Sequence, residues 1–121
     1  MAEHNELGRT GEEIAAEYLA GKGYEILATN WRIKHKEIDL IARDGDYLVI
    51  VEVKTRTTDG WENPKEAITN KKIRNLVNAA EAYIMINDVM METRFDIVTL
   101  IPAGDGWEIE HVKEAFYPPL G

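Results

Sequence analysis

Two side chains of opposite charge, Glu52 and Lys54, interrupt the otherwise apolar run YLVIVEVKTR at residues 47–56. Strand side chains alternate between faces, so Glu52 and Lys54 point one way while Val51 and Val53 point the other. A second acid, Asp39 in EIDLIA, interrupts the preceding apolar run, and Asp44-Gly45 between the two runs is a tight-turn signal. Closing a hairpin at that pair sets Ala42 opposite Tyr47, Leu40 opposite Val49, Asp39 opposite Ile50 and Glu37 opposite Glu52. One face of the expected hairpin then carries Ile38, Leu40, Ala42, Val49, Val51 and Val53. The other carries Ile41, Leu48 and Ile50 near the turn, and Glu37, Asp39, Glu52 and Lys54 toward the open end.

Opposed like charges destabilise a sheet, so three acids at one end call for a cation, a proton or a metal, and Lys54 supplies only one positive charge. Two carboxylates a few ångströms apart suit a hard divalent ion such as Mg²⁺, which keeps several waters and takes one or two carboxylates together with phosphate oxygens. Such an ion polarises a phosphoryl group and lowers the pKa of an attacking water, while a neighbouring lysine orients that water or stabilises developing charge. The structural alternative is that Glu52 and Lys54 form a solvated edge-strand pair and Asp39 faces water.

These residues need elements to position them. LGRTGEEIAAEYLAGK (7–22) reads as a helix capped by Thr10 with Glu13 three residues on, ended by Gly21 and Gly23, and apolar along Ile14, Ala15, Tyr18 and Leu19. On a helical wheel Glu12 falls beside Leu19, Ala15 and Ala16, at the core boundary, whereas Glu13 and Glu17 face outward. Residues 24–33, 36–42 and 46–55 read as strands. Residues 64–86 read as a long helix opened by Pro64, with Ile73, Leu76, Val77, Ala80 and Ile84 at helical spacing. TRFDIVTLI and WEIEHVKEA read as two further strands around a turn at Ala103 to Gly106. Helix, three strands, helix and strands, with hairpin-like neighbours before the crossover helix, point to a mixed α/β sandwich rather than a doubly wound fold.

The 121 residues fit one domain, with 1–6 and 117–121 as tails. Composition is 45% hydrophobic and 30% charged, without a transmembrane run. The polar, acidic start MAEHNELG does not read as a secretory signal. Zero cysteines exclude disulfides and thiolate chemistry, and a cytoplasmic location is the expectation. The net charge of −8 opposes nonspecific nucleic-acid binding. The charge is uneven, however: residues 31–36 carry three positive charges and no acids, and residues 54–74 carry six positive against three negative. A basic zone on an acidic molecule and plain solvated surface both fit that pattern.

The segments GRTGEEIAAEYL, KEIDLIARDGDYLVIVEVKTR, KKIRNLVNAAEAY and RFDIVTL occur in order across nearly the whole chain. In this combination the sequence resembles the YraN-like family of small bacterial proteins. That family is similar to the PD-(D/E)xK nuclease superfamily, and especially to archaeal Holliday-junction resolvases. The resemblance implies a three-layer restriction-endonuclease-like sandwich, a mixed central sheet flanked by helices with core order αβββαβ. It implies that Asp39 and Glu52 hold Mg²⁺ or Mn²⁺, with the backbone carbonyl of Val53 as an extra ligand. Lys54 matches the superfamily lysine, and Glu12 matches the helix-one acid that completes many resolvase-like sites. Lys72 matches a recurrent family lysine and becomes a candidate for phosphate contact, beside a plain reading as a snorkelling surface lysine. Arg56 and Trp61 are further substrate-contact candidates. Lys36 and Glu62 stand where the family usually has glycine, which bears on loop geometry and substrate fit.

The expected function is therefore metal-dependent DNA endonuclease chemistry, phosphodiester hydrolysis including that of branched or single-stranded DNA in recombination or repair. By analogy with resolvases, which cut two strands, a homodimer is expected. The rivals are a non-catalytic nucleic-acid-binding module in a larger complex, motivated by the −8 charge, and a hydrolase of small phosphorylated molecules. His4, His35 and His111 lack ligand spacing and read as surface or structural. Trp31 and Trp107 read as packing residues, and Trp61 as either a stacking or a loop-anchoring residue. Arg94 and Asp96 read as an ion pair near the sheet end.

Overall fold

Thr10 Oγ1 accepts the N–H of Glu13 at 3.1 Å, and Glu13 Oε1 accepts the N–H of Thr10 at 2.9 Å. This reciprocal box starts helix α1 (Gly11–Gly21). The computed structural model describes residues 10–56 and 68–118. After α1 come strands β1 (Glu25–Ile33), β2 (Lys36–Asp44) and β3 (Tyr47–Thr55), helix α2 (Asn70–Asn87), and strands β4 (Glu92–Ala103) and β5 (Gly106–Phe116). The five strands form one sheet in chain order. Neighbours are antiparallel except β3 and β4, which run parallel because α2 carries the chain back between them.

The helices cover opposite faces, giving the expected mixed α/β sandwich with one strand after the expected core order. Ile14, Ala15 and Leu19 of α1 pack on Leu40, Ala42, Val49, Val51, Val98 and Leu100. Leu76, Ala79, Ala80 and Tyr83 of α2 pack on Ile38, Ile41, Leu48, Ile50, Phe95 and Ile97. Residues 94–100 of β4 are consequently buried without alternation, as expected of a strand covered on both sides. Trp31 meets Tyr83 edge-on at 5.3 Å between ring centroids, in the packing role expected of it.

Three local expectations are corrected. The β2–β3 turn is Gly45-Asp46, with Asp44 opposite Tyr47 and Gly45 at φ 61°, the glycine-first pattern of a type II′ turn. The register is thus two residues away from the expected one: Leu40 lies opposite Val51 and Ala42 opposite Val49. Glu37 does not face Glu52 but pairs across to Arg32 on β1. A shift of two preserves the faces, since a one-residue slip alone exchanges them. Ile38 is the exception, buried on the α2 side. The β1–β2 pairing passes from Thr29/Leu40 to Trp31/Ile38, skipping Asn30, at φ 50°, and Asp39, so alternation breaks at Asp39. Finally, α2 starts at Asn70 behind an extended Thr69, whose Oγ1 accepts the N–H of Lys72 at 3.1 Å. Pro64, expected to open that helix, lies outside the described residues.

Candidate active site where β2 and β3 part

Beyond Leu40 and Val51 the β2–β3 pairing stops. There the carboxylate of Asp39 takes over a main-chain role: its Oδ2 accepts the N–H of Val53 at 2.8 Å. A side chain thus holds the strands at the point where they diverge, and it keeps Asp39 beside Glu52. From Glu52 on, β3 is paired only with β4, in register from Glu52/Ile97 to Thr55/Leu100. The open end of the β2–β3 hairpin is therefore the candidate cleft, beside the part of β3 that pairs with β4 alone.

Both helices begin near this cleft. Gly11, the first residue of α1, sits where an added Cβ would lie 2.9 Å from Thr55 Oγ1 and 3.4 Å from Leu100 Cδ1. A side chain there would crowd the Thr55 hydroxyl and the Leu100 methyl, so glycine lets α1 start close against the strand ends and brings the next residue, Glu12, toward the site, where its charge acts on Asp39. From α2, the Nζ of Lys72 reaches within 3.6 Å of Glu52 Oε2, and the Nζ of Lys54 stands 3.8 Å from the same oxygen.

Glu52 is only 5% exposed. Neither ammonium is at hydrogen-bonding distance from it, and among the described residues its other oxygen, Oε1, is buried without a hydrogen-bond partner. Thr99, opposite Lys54 on β4, also buries a hydroxyl that has no partner among the described residues. Burial pushes the Glu52 carboxyl above its ordinary range despite Lys72 and Lys54, with Glu37 adding to the rise. Burial likewise raises Asp39 to about 6, helped by the charges of Glu52 and Glu12 and opposed by the Val53 N–H and Lys72.

Of the side chains singled out in the sequence, Asp39, Glu52, Lys54, Lys72 and Glu12 converge here. Val53 contributes its N–H. Arg56 follows β3 directly, its N–H bonded to Leu100 O at 2.8 Å, and Trp61 lies outside the described residues. Thr99 was missed in the sequence because its place depends on the parallel β3–β4 pairing, which no local pattern announces. Among the described residues no three His, Asp or Glu side chains converge closely enough to hold a cation unaided. What the site offers is two carboxylates and an orphaned oxygen. That suits an ion such as Mg²⁺, which takes one or two carboxylates and fills its shell with water and phosphate oxygens.

Residues 11–100 match the family described as "Uncharacterised protein family UPF0102". The chain belongs to that family. The matched span runs from Gly11 at the α1 start to Leu100, and so includes every residue of the cleft. Similar UPF0102 proteins come from Phocaeicola vulgatus, 47% identical over 99% of both chains, and from Bacteroides thetaiotaomicron, 48% identical over 99% of both. A third, from Christiangramia forsetii, is 46% identical over 97% of this chain and 98% of its own. Among the described residues of this UPF0102 protein no helix is long and apolar enough to cross a membrane.

The other charged expectation, Arg94 with Asp96, lies at the far end of α1. Arg94 donates to Asp96 Oδ1 and Oδ2 at 3.0 and 3.1 Å, to Asp44 at 3.0 Å and to the Tyr24 hydroxyl at 2.7 Å. His111 Nε2 lies 2.8 Å from Asp96 Oδ2, and the N–H of Glu114 donates to Asp96 Oδ1 at 3.1 Å. His111 is thus structural.

Proposed function

We propose that this chain is a divalent-metal-dependent, endonuclease-like phosphodiesterase acting on DNA, with a restriction-endonuclease-like core of the PD-(D/E)xK type. One observation carries the reading: Glu52 is a buried carboxylate set next to Asp39, its Oε2 faced only at ion-pair distance by Lys54 and Lys72 and its Oε1 without a hydrogen-bond partner among the described residues, so its burial is incompletely compensated and a cation would complete it. Asp39 and Glu52 would hold Mg²⁺ or Mn²⁺, with the Val53 carbonyl as a further ligand. When bound, the ion stabilises charge on the phosphoryl oxygens and acidifies the attacking water. Lys54 orients that water, Glu12 completes the acidic wall, and Lys72, Arg56 and Trp61 contact the nucleic acid. Hydrolysis joins the water oxygen to phosphorus and breaks the bond to the ester oxygen, which takes up a proton. A phosphate monoester and a hydroxyl result. Cutting both strands of a branched DNA symmetrically would need two such centres, hence a homodimer.

The test is purified protein with Mg²⁺ or Mn²⁺ and a panel of plasmid, single-stranded, flap and four-way-junction DNA. Cleavage is expected, and Asp39→Ala or Glu52→Ala should abolish it. No cleavage with either metal, or cleavage undiminished by Asp39→Ala, would falsify the assignment. Salt-dependent DNA binding without turnover would select the rival reading, a non-catalytic binding module in a larger complex.

A further inference from the structure

Lys72 occupies an ambiguous position. Its ammonium stands 3.6 Å from Glu52 Oε2, too far for a hydrogen bond, and its side chain is 45% exposed. It reaches the carboxylate from the first turn of α2, in which Lys71 and Lys72 come with no acid and Arg74 follows. Cations at a helix N-terminus oppose the helix dipole, so this turn is electrostatically arranged for an anion. Lys54, by contrast, lies on β3 itself, is only 23% exposed, and approaches the same oxygen from the strand.

We propose that Lys72 is a metal-exchanged counter-ion: it occupies Glu52 when no metal is bound, and a divalent cation at Asp39 and Glu52 releases its ammonium to a phosphate group at the start of α2. The inference rests on the metal-site reading above and adds to it a coupling between metal and phosphate. Three features carry it. Glu52 Oε2 is already shared by two ammoniums at 3.6 and 3.8 Å, while Oε1 has no hydrogen-bond partner among the described residues. Of the two, Lys72 has the greater exposure and therefore the freedom to swing outward. The turn it stems from lacks any acid that would recapture it. A cation bound at Glu52 repels both ammoniums, and the one that can leave at least cost is Lys72. By thermodynamic reciprocity, phosphate that captures Lys72 must tighten metal binding by the factor that metal tightens phosphate.

The test measures Mn²⁺ affinity by electron paramagnetic resonance, alone and with saturating thymidine 5′-monophosphate, which has no phosphodiester to cut. Lys72→Met should bind Mn²⁺ alone about three- to tenfold more tightly, because a competitor is gone. In the unaltered protein the nucleotide should tighten Mn²⁺ binding, and in Lys72→Met that enhancement should disappear. Lys72→Arg should retain it in part. A lysine acting only as a fixed repulsive charge would give the first change without the second. Unchanged or weaker Mn²⁺ binding in Lys72→Met, or nucleotide enhancement that survives the substitution, overturns the exchange while leaving the metal site standing. Mn²⁺ that fails to bind the unaltered protein, or that binds equally to Asp39→Ala, removes the metal reading and the exchange with it. Thermal melts of each variant confirm that the fold is retained.

Discussion

The two ends of α1 each bury carboxylates, and they treat them oppositely. At the C-terminal end Asp96 is fully buried, yet both oxygens are filled: Arg94 and the Glu114 N–H at Oδ1, Arg94 and His111 at Oδ2. Burial alone would raise its pKa, but the hydrogen bonds from His111, Arg94 and Glu114 outweigh it and hold the carboxyl below its ordinary range. At the N-terminal end burial wins: Asp39 and Glu52 are pushed up, and Glu52 Oε1 has no hydrogen-bond partner among the described residues. The first region is a closed network that binds β4 to β2, β5 and Tyr24 in the α1–β1 connection. The second is left incomplete, which is how a site differs from a brace.

The sharpest way to break this contrast is to remove the centre of the closed network. Asp96→Ala leaves Arg94 buried with Asp44 and Tyr24 as its remaining hydrogen-bond partners among the described residues, and should cost about 3–5 kcal/mol, read as a lowered urea midpoint at unchanged slope. A loss under about 1 kcal/mol would show the network to be ornamental. Next in size is Gly11→Ala. Its Cβ would meet Thr55 Oγ1 at 2.9 Å and Leu100 Cδ1 at 3.4 Å, so either the Thr55 hydroxyl turns away at little cost or α1 shifts from the strand ends at about 1–3 kcal/mol. A shift of α1 carries Glu12 away from Asp39, and the proposed DNA cleavage should then fall beyond what the stability loss explains. Cleavage equal to wild type in the folded fraction would detach Glu12 from the site.

How far this contrast was legible in the sequence depended on what each contact required. Alternation put Glu52 and Lys54 on one face, and their placement survived a register wrong by two residues because such an error leaves parity intact; Asp39, where alternation breaks, joins them instead through its bond to the Val53 N–H. The same rule misplaced Ile38, since nothing local announces the break at Asn30 and Asp39. The Thr10/Glu13 box was readable because its partners are three residues apart. Arg94 and Asp96 were readable as a pair, being two apart on one strand, but not as a network: Tyr24 is 70 positions from Arg94, and Asp44 is 50. Lys72 and Thr99 join the site only through the α2 crossover and the parallel β3–β4 pairing, which are tertiary facts.

The two regions should also respond to pH with opposite sign. In metal-free protein, Asp39 has a folded value of about 6 against an ordinary 3.8. Its contribution to stability is therefore present below the ordinary value and lost as pH rises through about 6. Glu52 acts in the same sense. Asp96, held low, contributes stability above the ordinary carboxylate range that is lost as pH falls through its folded value. Urea stability in EDTA should accordingly rise by on the order of 1 kcal/mol from pH 7 to pH 5, then fall below about pH 4. Asp39→Asn should flatten the upper limb and Asp96→Asn the lower. A steady decline from pH 7 in the wild type would mean that Asp39 and Glu52 are already satisfied.

The smallest effect is the most discriminating one. Glu52→Gln keeps the shape of the side chain and removes a buried, incompletely paired charge. At pH 7 it should alter stability by less than about 1 kcal/mol, in either direction, because the desolvation cost it relieves is close to the attraction of Lys72 and Lys54 that it forfeits. Calorimetric Mn²⁺ titration of the same variant should show binding lost. A brace gives the reverse pattern, as Asp96 should, with stability falling steeply and metal binding untouched. If Glu52→Gln destabilised the fold as much as Asp96→Ala, the two ends of α1 would be the same kind of structure, and the orphaned Oε1 would need an explanation other than a ligand.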